Sequence, residues 1–179
     1  PADASGAAVV HARPCPPNVQ DGALLERRRQ AQVAQAEEVL GVDSDDALLL
    51  LNAYRWDLDG LTAAWSDDPA RVRATAAVTE WGHVDGAHIV HQVQTCGICH
   101  DADATRQLPC RGHAFCEECW GSYASISVAE GKACLDLRCP WPGCEERVRP
   151  AIVRRLCPPH LVERYEQFWL DAAVEHCAE

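Results

Sequence analysis

Cys96-Gly97-Ile98-Cys99, then Cys110-Arg111-Gly112-His113, then Cys116-Glu117-Glu118-Cys119, and after a gap Cys139-Pro140-Trp141-Pro142-Gly143-Cys144: the reading of this stretch decides the fold. Its Cys and His side chains come as four close pairs. Zinc takes four tetrahedral ligands, and thiolate sulfur with imidazole nitrogen satisfies it when two short knuckles converge from separate loops. Four pairs therefore predict two zinc ions held by Cys96, Cys99, Cys110, His113, Cys116, Cys119, Cys139 and Cys144. Cys134, shortly before Cys139, and His100, directly after Cys99, are alternative ligands that spacing leaves open. The chain has 11 cysteines, which in an exported protein would suggest disulfides. Their concentration at CxxC spacing around a histidine reads instead as zinc ligation in a reducing compartment.

Residues 96–144 are too few to enclose a sizeable apolar core. Structural zinc binds small peptides with roughly 10–16 kcal/mol, against a net stability of ~5–15 kcal/mol for whole domains, so the metal must supply much of the folding free energy. Chelation is expected to unfold this module and spare the rest.

On the N-terminal side, residues 1–20 have no apolar period and read as a flexible lead-in, whereas 21–78 read as a bundle of short helices. Leu25, Val33, Ala36 and Leu40 share a stripe that Gly41 stops, and Arg27, Arg28 and Arg29 read as a solvated face. Asp43 with Asp46, Asp57, and Asp68 with Pro69 mark three helix starts, where a carboxylate can accept free first-turn N–H groups and proline loses nothing. Ala47, Leu48, Leu50, Leu51 and Tyr54 form the buried face of the second helix, and Leu58, Leu61 and Trp65 that of the third. Residues 79–94 read as a linker ending in a short strand, its three histidines exposed and unliganded.

Beyond the zinc module, at 95–149, two proline-led exit helices are expected over 150–179. On the second, Leu161, Tyr165, Phe168, Trp169 and Ala172 make an apolar stripe that either packs back onto the zinc module or is completed by a following domain. The fold class is thus mainly α with a small zinc-stabilised α+β module: a helical bundle, a zinc module and exit helices.

The whole chain bounds its partners. A formal charge of -11 argues against nucleic-acid binding by phosphate neutralisation and points to protein partners. No run reaches the ~18 apolar residues of a membrane span, and no secretory leader is visible, so a cytoplasmic or nuclear address is expected. The chain contains no methionine and begins at Pro1, which reads as a fragment or a processed product. Lys132 is its single lysine.

Cys110-Arg111-Gly112-His113-Ala114-Phe115-Cys116-Glu117-Glu118-Cys119-Trp120 and Cys134-Leu135-Asp136-Leu137-Arg138-Cys139-Pro140-Trp141-Pro142-Gly143-Cys144 resemble the first RING of Ariadne-type RING-between-RING ubiquitin ligases, plant-type members especially. Glu38-Val39-Leu40-Gly41-Val42, Ala47 to Trp56 and Trp65 to Arg73 resemble the ubiquitin-associated-like domain that precedes it in that family. The resemblance implies that the zinc module is a cross-braced RING, in which the first and third ligand pairs share one zinc and the second and fourth share the other. It implies docking of a ubiquitin-conjugating enzyme at Ile98, Trp120, Pro140 and Trp141, and contact with ubiquitin or a ubiquitin-like modifier, such as one carried on a modified cullin, near Leu40, Gly41 and Val42. Two residues separate Cys110 from His113 where the family usually has one.

Simple RING ligases often carry an arginine just after the last ligand; here that position is Glu145. The family instead passes ubiquitin to a cysteine in a later ring, and none of Cys15, Cys134, Cys157 and Cys177 resembles that nucleophile, so no catalytic residue is assigned. The implied protein is the N-terminal part of a ubiquitin transferase, inactive by itself. The alternative is a non-catalytic zinc adaptor that only docks the conjugating enzyme and a modifier.

Overall fold

The computed structural model describes residues 22–78, 88–89, 95–100, 106–107 and 113–175. The lead-in, most of the linker, and Cys15, Cys110 and Cys177 lie outside these. Four helices open the described chain: α1 (Gly22–Leu40), α2 (Ser44–Ala53), α3 (Leu58–Asp67) and α4 (Pro69–Ala76). Each predicted start is a side-chain cap. Asp43 accepts the Asp46 N–H at 2.9 Å, Asp57 the Gly60 N–H at 3.0 Å and Asp68 the Arg71 N–H at 3.0 Å. Gly41 ends α1 with φ 66, a left-handed conformation that glycine adopts without strain.

Three strands of two residues each follow: β1 (His88–Ile89), β2 (Arg106–Gln107) and β3 (Ala114–Phe115). They form an antiparallel sheet in that order. Then come α5 (Glu117–Glu130), a 3-10 turn (Lys132–Asp136), α6 (Pro150–Leu156) and α7 (Pro159–Glu175). The described chain is mainly helical, and the small sheet joins a strand of the linker to two strands of the cysteine-rich part.

One apolar core runs through both halves. It joins Leu48, Leu50, Leu61 and Val72 of the bundle to Phe115, Trp120, Ile152, Tyr165 and Trp169. The reason lies in α2, where every residue from Asp45 to Leu51 is buried. The sequence pattern assigned it one buried face, but α1, α3 and α4 cover one side while α6 and its approach cover the other. Leu49, outside the predicted face, is 2% exposed, and Arg147 donates to its carbonyl at 3.4 Å.

The acids at the start of α2 make the seam. Arg149, 6% exposed, donates to Asp43 at 2.8 Å and to Asp46 at 2.6 Å. Arg73 from α4 also reaches Asp46, at 3.2 Å. Asp45 accepts the Ala151 backbone N–H at 2.8 Å and an Arg154 N–H at 3.0 Å. Burial pushes the Asp45 and Asp46 carboxyls up, against the pull of Arg149 on both and of Arg154 on Asp45. Arg29 departs from the solvated-face expectation: it is buried, binding Glu26 on its own helix at 2.7 Å and Glu166 on α7 at 3.1 Å.

The stripe on α7 is satisfied within the chain. Tyr165, Trp169, Ala172 and Ala173 are buried where α7 packs on α1, α5 and the 3-10 turn. Among the described residues, no helix is long and apolar enough to cross a membrane.

Candidate zinc centres and the surface beside them

The first knuckle, Cys96 to Cys99, is a tight turn. Its Gly97 N–H donates to the Ala114 carbonyl at 3.2 Å, tying the turn to β3, and the His100 N–H returns to the Cys96 carbonyl at 3.1 Å. The third pair straddles the start of α5. Cys116 is its N-cap, with Sγ accepting the Cys119 N–H at 3.4 Å. A helix N-terminus carries partial positive charge, which works against the effect of burial on this thiol without overcoming it.

The last pair sits in a hairpin closed by Cys139 N–H to Glu146 carbonyl and Val148 N–H to Leu137 carbonyl, both 2.8 Å. Its tip, Trp141-Pro142-Gly143-Cys144, has the Cys144 N–H on the Trp141 carbonyl at 3.0 Å and Gly143 at φ 79. Proline second and left-handed glycine third are the residues a type II β-turn demands. The four-residue spacer is therefore a turn that brings Cys144 back beside Cys139 and leaves Trp141 at its first corner.

These elements gather the ligands into two clusters. Cys96, Cys99, Cys116 and Cys119 have all four sulfurs within 4.8 Å of one another, and His113, Cys139 and Cys144 do the same with one imidazole nitrogen and two sulfurs. Pairs one and three form the first cluster and His113 joins pair four in the second, a cross-braced order along the chain. Cys110 lies outside the described residues. Cys134 and His100 join neither cluster: Cys134 is buried in the 3-10 turn and His100 is exposed.

The distances fit zinc. Two sulfurs on a tetrahedral zinc stand ~3.8 Å apart, and a sulfur and an imidazole nitrogen ~3.6 Å apart, given ordinary Zn–S and Zn–N lengths. The Cys99 and Cys116 sulfurs are 3.9 Å apart, and the Cys139 sulfur is 3.6 Å from His113 Nδ1. The Cys99 to Cys116 spacing is far longer than a disulfide bond, and none of the clustered cysteines is in a disulfide.

The protein groups around the first cluster do not act alike on its thiols. Burial raises the Cys116 and Cys119 thiols, and the Cys96 and Cys99 sulfurs raise both further, while Cys119 pulls Cys116 the other way. Burial also pushes Cys96 up, but backbone N–H groups of Cys116, Cys99 and Ile98 outweigh it and bring that thiol down to about 6. Protein groups alone thus favour a thiolate at Cys96 while disfavouring one at Cys116 and Cys119. A divalent cation removes that conflict.

The predicted docking residues separate on burial. Ile98 is 43% exposed and Trp141 44%, and Pro140 is partly exposed. Trp120 departs from the expectation: it is completely buried, edge-on to Phe115, because α5 turns that face inward. Buried in this way, it presents no surface to a partner. At the proposed modifier turn, Leu40 and Val42 are core residues, Gly41 is exposed, and the neighbouring Val39 is 49% exposed.

Trp141 has an arrangement that sequence reasoning missed. Its ring stacks on the His113 imidazole, with centroids 4.8 Å apart and planes at 8°. The ring also lies over Gly97, where an added Cβ would be 3.0 Å from Trp141 Cζ3 and 2.9 Å from Phe115 Cε1. The only hint in the sequence was a glycine inside the first CxxC.

The interleaved Cys/His clusters and short sheet define a RING-type module, one that can hold zinc. Comparison with known proteins gives the relationship. Over 154 residues the chain is 33% identical to ARI6, an inferred E3 ubiquitin-protein ligase of Arabidopsis thaliana, covering 84% of this chain and 27% of the relative. ARI7 and ARI8 of the same plant, also inferred E3 ubiquitin-protein ligases, are 30% identical over 158 residues and 27% over 150. They cover 84% and 82% of this chain, and it covers 27% and 26% of them. No protein-family model matches the chain. Over most of its own length the chain is similar to these ARI proteins, and it spans about a quarter of the curated relatives it matches.

Proposed function

We propose that this chain is part of a RING-between-RING ubiquitin ligase, and that its two-zinc module recruits a ubiquitin-charged conjugating enzyme. The carrying observation is the pair Ile98 and Trp141, both about half exposed, with the Trp141 ring packed on Gly97 next to Ile98. Large apolar side chains held out of the core on a metal-braced loop offer a rigid contact surface at small entropic cost. Pro140 extends that surface along the last loop.

Transfer then runs through a thiol outside these 179 residues. An attacking cysteine needs an accessible, depressed-pKa thiol. The described cysteines outside the two clusters are the reverse: burial pushes Cys134 up to about 11 and raises Cys157, both of them buried. Glu145, exposed after the last ligand, cannot serve as the arginine that simple RING ligases use there. The bundle is proposed to meet ubiquitin or a ubiquitin-like modifier, such as one on a cullin, at Gly41 and Val39. A second reading, a non-catalytic adaptor, has the same two thiols in its favour; continuing the reading frame beyond Glu179 separates the two, since the ligase requires further cysteine-rich clusters.

Chemical-shift mapping tests the docking. Adding a ubiquitin-charged conjugating enzyme to the labelled, zinc-loaded chain should shift resonances around Ile98, Pro140 and Trp141. A footprint confined to α7 or to α1 would sink the proposal.

A further inference from the structure

Trp141 lies between two zinc ligands in sequence, yet its ring touches both halves of the cross-brace. It stacks on His113 of the second centre and packs against Gly97 of the first knuckle, while 44% of it faces solvent. An imidazole can be a fixed platform only when its own orientation is fixed. His113 places Nδ1 3.6 Å from the Cys139 sulfur, the separation of two ligands on one metal, so the metal would set the ring plane on which Trp141 rests. The type II turn fixes the Trp141 backbone, and the stack fixes its ring.

We infer that Trp141 is a positioning residue that makes the docking face conditional on the second zinc centre. With that centre filled, the imidazole holds the indole flat against Gly97 beside Ile98. Without it, the indole loses its platform and the apolar surface loses its shape, even with the first knuckle still liganded. The coupling runs both ways: the indole also shields the His113 side of the second centre, slowing its loss of zinc. This inference rests on the docking reading above, but its zinc arm does not.

The test uses the full zinc-loaded chain and two readouts: zinc transfer to an excess of chromogenic chelator, and affinity for a ubiquitin-charged conjugating enzyme. Trp141→Ala should speed one component of zinc transfer about three- to ten-fold, the range an aromatic stack supports, and weaken docking. Trp141→Phe, which keeps an aromatic face over His113, should transfer zinc within about two-fold of wild type. His113→Cys keeps a metal ligand and removes the platform; it should retain its zinc and lose docking about as far as Trp141→Ala.

Zinc transfer unchanged in Trp141→Ala would overturn the inference, as would full docking in a zinc-replete His113→Cys protein. If His113→Cys does not hold zinc, the comparison of alanine with phenylalanine at Trp141 still decides. Ile98→Ala separates the two claims, since it should weaken docking and leave zinc transfer unchanged. Equal docking there removes the docking reading alone.

Discussion

At Gly97 the first knuckle has room for a hydrogen and little else. A methyl group would press on Phe115 and Trp141 at once, and both rings are held, one in the core and one by the His113 stack. Gly97→Ala should therefore cost about 1–3 kcal/mol, the usual penalty for overfilling a packed site, read as a lower denaturant midpoint of the zinc-loaded protein. An unchanged midpoint would mean the rings move aside freely. The grouping of Cys96, Cys99, Cys116 and Cys119, and of His113 with Cys139 and Cys144, was legible because close Cys and His pairs at metal-ligand spacing converge. Trp141 on His113 was not, because the two residues are distant in the chain and meet only once the hairpin and the second knuckle are folded together. Trp120 was misplaced for a related reason: its position at the start of α5 is readable, but the face it turns inward depends on how α5 packs.

Among the elements, α2 departs most from its sequence pattern. A single-faced helix tolerates changes on its outer side, and Leu49 would have been on that side. With Leu49 buried, Leu49→Ala should cost about 2–5 kcal/mol, measured by denaturant melting; a loss below about 0.5 kcal/mol would restore the single-faced picture. The uninterrupted run Leu48-Leu49-Leu50-Leu51 was the available signal, since a helix apolar all round is one covered on all sides. The acids at its start read correctly as caps, yet Asp46 does more, because its carboxylate faces Arg149 and Arg73 across the seam. Removing one partner of a buried ion pair typically costs about 3–5 kcal/mol, so Arg149→Ala should destabilise the bundle and the zinc module together. Two separate transitions with only one of them shifted would contradict this.

For the whole molecule, the continuous core and the ionic seam change what metal removal should do. The sequence pattern suggests a bundle that survives chelation. The structure places Asp43, Asp45 and Asp46 against Arg149, Ala151 and Arg154, immediately after the last zinc hairpin. Loss of zinc should therefore speed amide exchange in α2 as well as in residues 113–148. Exchange in α2 that is unaffected by a chelator would show two independent units. Helix class, caps and ligand pairs were readable from local chemistry; the joining of the two halves was not, because it depends on pairs such as Asp46 and Arg149 that have no local sequence signature.

The proposed function stands or falls with a zinc-braced surface centred on Ile98 that docks a conjugating enzyme. Calorimetric titration of a ubiquitin-charged conjugating enzyme into the zinc-loaded chain, wild type against Ile98→Ala, tests it most directly. An exposed aliphatic anchor at the centre of such a contact is worth ~1–3 kcal/mol, so the variant should bind at least about five-fold more weakly with its zinc content unchanged. Equal affinity of the two proteins would contradict the account.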